Sequence, residues 1–96
     1  MIGKIRRLVL DCLKPMEPNI IEMAKLISIE EGVSAVNISI EEIDMKVENA
    51  KITVEGDNIQ YEELFKLIED LGGSIHSIDE VVAGKMIIDD PATLQD

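Results

Sequence analysis

Apolar and polar positions alternate from Ile5 to Leu13, so this stretch reads as a first strand, closed off by Pro15 and Pro18. From Pro18 or Asn19 to Glu31 the spacing changes. Ile20, Met23, Ala24 and Ile27 recur every three or four residues, the stripe of a helix with one buried face, and Gly32 supplies its stop. Val33 to Asp44 is then a long second strand and Ala50 to Glu55 a third, joined as a hairpin through Val47-Glu48-Asn49. A second helix is capped by Asp57 or Asn58, with Asp57 and Gln60 at capping-box spacing. Its inner stripe is Tyr61, Leu64, Phe65, Ile68 and Leu71, and Gly72-Gly73 ends it. Ser74 to Val82 is the fourth strand, broken by Ala83-Gly84.

The order βαββαβ, with right-handed crossovers, predicts an α+β ferredoxin-like sandwich. A four-stranded antiparallel sheet of order 4-1-3-2 would carry both helices on one face. The two halves also echo each other: Ser39-Ile40-Glu41-Glu42-Ile43 matches Ser77-Ile78-Asp79-Glu80-Val81, and Arg7-Leu8-Val9-Leu10-Asp11 resembles Lys51-Ile52-Thr53-Val54-Glu55. Residues 1–85 form the single domain, and residues 86–96 a tail that is loose or docked on a neighbouring subunit.

Strand parity sorts the side chains between the two faces of the sheet. Leu8, Leu10, Cys12, Val36, Ile38, Ile40, Ile52, Val54, Ile78 and Val82 belong under the helices. Arg7, Val9, Asp11, Asn37, Ser39, Glu41, Lys51, Thr53, Glu55, Ser77 and Asp79 make an open, mostly acidic face. Asp11 and Asp79 fall there on adjacent strands, and two nearby carboxylates repel unless a proton, a cation or a basic group relieves them. A hard cation, Ca²⁺ or Mg²⁺, is one answer. A solvated face with Arg7 and Lys51 as counter-charges is the other. His76 and Glu80 fall by parity on the helix side of the last strand and complete the candidate metal set of Asp11, Asp79, Glu80 and His76. A half-buried structural histidine is the plainer reading of His76, and a small core residue that of Cys12, whose pKa Asp11 would raise.

Composition narrows the function. The 96 residues carry 9 lysines and arginines against 20 acids, a net charge of −11, with Tyr61 and Phe65 as the only aromatics. Such a surface repels phosphate backbones and anionic membranes, and it offers no stacking platform for RNA bases. One cysteine allows no internal disulfide and no C-x-x-C metal pair, and the apolar run after Arg6 and Arg7 is broken by Asp11 and Lys14. A soluble cytoplasmic protein without nucleic-acid or membrane partners is expected. No catalytic constellation emerges. Leu13-Lys14-Pro15-Met16 cannot form an acylphosphatase-type loop, because it lacks the arginine and its proline removes a donor. Strands two and four would be unpaired edges, either joined to neighbouring copies or guarded by Glu41, Glu42, Asp79 and Glu80.

Four stretches, L-V-L-D-C-L-K-P at 8–15, E-G-V-S-A-V-N-I-S-I-E-E-I-D at 31–44, K-I-T-V-E-G at 51–56 and L-G-G-S-I-H-S-I-D-E-V-V-A-G-K at 71–85, resemble the archaeal DUF211 family. The resemblance covers nearly the whole chain up to Lys85 and does not extend to the tail. It implies a ferredoxin-like fold, an archaeal cytoplasmic origin and homo-oligomers of ring form, with no established activity. Family members often carry an aliphatic residue where this chain has Cys12, which argues against a shared thiol chemistry. Two functions compete: a non-catalytic homo-oligomer that collects acidic groups around divalent cations, and a small-molecule regulatory domain of the amino-acid-sensing type, with the Pro15–Asn19 loop as its nearest site.

Overall fold

The computed structural model describes residues 3–89. The elements are β1 (Ile5–Pro15), α1 (Ile20–Ser28), β2 (Val33–Asp44), β3 (Val47–Gly56), α2 (Tyr61–Asp70) and β4 (Ser74–Ala83). The four strands form one antiparallel sheet ordered β2-β3-β1-β4, which is the expected 4-1-3-2 read from the other edge. Leu8, Leu10 and Cys12 of β1 and Ile52 and Val54 of β3 pack against Met23 and Ile27 of α1, Leu64 and Ile68 of α2, and Ile59. Both helices therefore cover the same face. Each such aliphatic side chain contributes about 1.5–3 kcal/mol on burial, enough for a core without aromatic centres. Among the described residues, no helix is long and apolar enough to cross a membrane.

Local chemistry explains where the elements stop. Asn19 caps α1, its Oδ1 accepting from the Glu22 N–H at 3.0 Å. The helix ends at Ser28, about a turn before the expected Glu31, and Gly32 at φ 86° swings the chain into β2. The capping box expected at α2 is not formed. Asp57 is drawn away to the Arg6 guanidinium, and Gln60 stands at the N-cap without a side-chain bond to the helix.

The β2–β3 hairpin is longer than its sequence suggests. Pairing continues to Pro15↔Val47 and Asp44↔Val47, so Val47-Glu48-Asn49 is strand, and the turn falls on Met45-Lys46 with Met45 at φ 52°. At the hairpin's other end two backbones cross. A Cβ on Gly56 would lie 1.8 Å from the Gly32 carbonyl oxygen, and the Asp57 N–H donates to that same oxygen at 3.0 Å. Only glycine fits at 56.

β4 is where alternation fails. Its register against β1 slips three times, once at Arg6 on β1 and twice through bulges on β4, so that Cys12 faces Ile75, Asp11 faces Ser77, Leu10 faces Ile78, Val9 faces Glu80, Leu8 faces Val81 and Arg7 faces Val82. Directly opposed residues share a face. Ile75, Ile78 and Val81 therefore lie on the helix side, and Ser77, Glu80 and Val82 on the open side. His76 and Asp79 are the extra residues of the two bulges. Parity had put Glu80 and Val82 under the helices; the bulges move them to the opposite face. Beyond β4 the chain runs from Gly84 to Asp89, and residues 90–96 of the expected tail lie outside the described residues.

Candidate functional site

The candidate site is the open face of the sheet and the edge that β4 gives it. β1 supplies Arg7, Val9 and Asp11 to this face because odd positions of that strand point away from the core. Arg7 is its electrostatic hub. Its Nε donates to Glu55 Oε2 at 2.8 Å, Nη1 to Glu80 Oε1 at 3.1 Å and Nη2 to Asp89 Oδ1 at 3.1 Å. These hydrogen bonds, Glu55 first, then Glu80 and Asp89, hold the guanidinium proton more firmly than usual.

The four sequence-predicted residues separate. Asp11 lies half-buried between Lys51 on β3 and Ser77 on β4. Asp79 leans toward the same place, its Oδ1 accepting from Ser77 Oγ at 2.7 Å. These two carboxylates thus flank one serine. Glu80 is taken by Arg7, and His76 stands exposed at a bulge with no side-chain hydrogen bond to another described residue. Among the described residues, no three His, Cys, Asp or Glu side chains come together as a metal cluster. Cys12 is fully buried, and its thiol is pushed up chiefly by that burial, with the Asp11 charge a smaller contribution than the sequence suggested.

Sequence reasoning missed two features. Lys14 is 1 % exposed, and its Nζ donates to Glu48 Oε1 at 2.6 Å and to the Pro15 carbonyl at 2.7 Å. Its parity with Leu8, Leu10 and Cys12 marks the helix side, and that was the available signal. The second is apolar. Ile78 and Val81, on the helix side of β4, are 51 % and 53 % exposed, because α2 leaves the outer flank of that strand uncovered. Beside Pro15, a hollow of about 310 Å³ is walled by Leu13, Lys14, Pro15, Val47, Gly72 and Ser74.

Comparison with known proteins decides the relationship. The model of the DUF211 family, described as uncharacterized ArCR, matches residues 6–96. This chain belongs to the DUF211 family. The match runs through the tail, which the sequence resemblance had placed outside the family pattern. An uncharacterized protein of Methanocaldococcus jannaschii is 53 % identical over 92 residues, covering 96 % of this chain and 95 % of that protein.

Proposed function

We propose that this DUF211 protein is a non-catalytic subunit of a homo-oligomer, joined edge to edge through its sheet and closing into a ring, with divalent cations held where acidic edges meet. The observation that carries this reading is the exposure of Ile78 and Val81 beside a strand edge that no other described strand pairs with. A monomer gains nothing from two half-exposed β-branched side chains next to open backbone donors and acceptors. The opposite edge is left unguarded over its middle. Between Ala35 and Ile40, β2 pairs without a bulge and presents Ala35, Asn37 and Ser39, small neutral residues that do not guard an edge. Edge β4 against edge β2 is a heterologous contact, which generates a ring where its rotation closes.

The cation follows from the same joint. Asp79 and Glu80 on one edge would approach Glu41 and Glu42 on the other, and like charges across a strand pair destabilise it. A Ca²⁺ or Mg²⁺ ion, which takes six or more oxygen ligands, relieves that repulsion and completes its shell from two subunits. An exposed His76 that bonds no other described side chain and a buried, protonated Cys12 support binding rather than catalysis. The small-molecule reading has less support, since the hollow beside Pro15 is walled mainly by apolar groups and its one charged wall, Lys14, is already committed to Glu48 and the Pro15 carbonyl. The test is Ile78→Asp and Val81→Asp in light scattering after gel filtration. Each variant should run as a monomer with an unchanged far-ultraviolet spectrum; an unaltered oligomer mass in both removes β4 from the interface.

A further inference from the structure

We propose that residues 84–89 form a strap, latched by Arg7 across the open face of the sheet, whose lifting regulates assembly at the β4 edge. An open sheet face is wet, yet Val9 and Val82 on this one are 7 % and 6 % exposed. Neither belongs to the core between sheet and helices, and both share the face of Arg7 and Glu80. The chain that returns to this face is the one leaving β4. Asp89 meets Arg7 Nη2 at 3.1 Å across 82 residues of sequence.

The root of the strap is fixed by two bonds. Arg6 Nε donates to the Gly84 carbonyl at 2.7 Å, and the Gly84 N–H to the Lys4 carbonyl at 2.8 Å. Gly84 is itself that root: at φ 134° it turns the chain out of β4, and nothing lies within 4 Å of the place its Cβ would occupy. The strap also carries Met86, Ile87 and Ile88, with Met86 and Ile88 turned to solvent. In the proposed closed state it shields Val9 and Val82, whose burial the helix-side core does not explain. Lifted, it uncovers that pair and withdraws its own apolar residues.

The latch is weak by construction. The Arg7 side chain is mostly buried, but that of Asp89 is 60 % exposed, and a pair that open to water holds by a small margin. Arg7 keeps Glu55 and Glu80 when Asp89 leaves, so opening strands no buried charge. The regulatory part of the proposal rests on edge-to-edge assembly; the latch itself does not.

The experiment introduces a thiol by Val82→Cys and follows its labelling by a disulfide reagent, site by site, using mass spectrometry. Native Cys12, fully buried in the core, is the internal reporter of global opening. Adding Asp89→Asn should speed labelling at position 82 roughly two- to fivefold, as loss of a partly exposed pair allows, and leave Cys12 unchanged. Adding Glu55→Gln, which leaves the strap contact intact, should change neither rate. Equal labelling with and without Asp89→Asn, or parallel rises at both thiols, overturns the latch. Native mass spectrometry of Asp89→Asn in the otherwise wild-type chain reads the second half. A shift of the subunit distribution toward monomer supports regulation. Faster labelling with an unchanged distribution overturns regulation alone, and a wild-type monomer overturns the edge reading while the labelling still judges the latch.

Discussion

Replacing Lys14 by methionine should be among the most damaging conservative changes in the molecule. Lys14 is 1 % exposed and the Glu48 side chain 15 %, so the pair sits in a region where water cannot take over either charge. Methionine retains most of the volume and none of the charge, and it leaves Glu48 buried with nothing to pair with. Breaking a buried pair from one side costs about 3–5 kcal/mol, and the residual exposure of Glu48 places this case near 3 kcal/mol. For a domain of this size that corresponds to a fall in Tm of roughly 12–24 °C. Removing both charges at once, Lys14→Met with Glu48→Leu, should recover most of the loss, because both desolvation costs disappear and no charge is left unpaired. Urea unfolding of wild type, both single variants and the double variant closes the cycle. A Lys14→Met protein as stable as wild type would refute the reasoning, by showing that Glu48 swings to solvent freely and that the pair organises nothing.

Further outcomes follow from the same geometry. Gly56→Ala should lower stability by roughly 3 kcal/mol or more in denaturant titration, since the added methyl meets the backbone of Gly32 rather than a movable side chain. Cys12 should resist thiol reagents in the folded protein. Its folded pKa lies above the unfolded value, so its contribution to stability is complete below the unfolded thiol pKa and is lost as pH rises toward the folded one. Unfolding free energies of Cys12→Ala should therefore fall less steeply than wild type above pH ~8.5, and parallel profiles would contradict this. Asp11→Asn and Asp79→Asn should each weaken Ca²⁺ or Mg²⁺ binding in calorimetric titration; unchanged affinity in both removes these residues from the cation site.

Fold order was readable because each element announces itself locally. The stripe Met23–Ile27, the Gly32 stop and the glycines after α2 required no knowledge of the partner strands. β4 was not readable in the same way. Its bulges at His76 and Asp79 exist only relative to β1, so simple alternation sent Glu80 and Val82 to the wrong face while Ser77 came out correctly. The hairpin turn was misplaced for a related reason. Glu48 looks like a loop residue until the buried ammonium of Lys14 is known to lie opposite it. Within the candidate site, parity puts Asp11 and Ser77 on one face, where they oppose each other, and Asp79 accepts from Ser77; Glu80 belongs to Arg7, and His76 makes no side-chain hydrogen bond to a described residue. Arg7 itself could be assigned a counter-charge role from parity, yet its bond to Asp89 spans nearly the entire chain and leaves no local trace.

Assembly through the sheet edges is most directly tested by the native mass of the purified protein at low salt, with no chelator added. A closed oligomer carrying about one divalent ion per subunit, which loses subunits when the ion is removed by chelation, is the predicted result. A monomer at every concentration would contradict the account, and would leave Ile78 and Val81 to a partner of another kind.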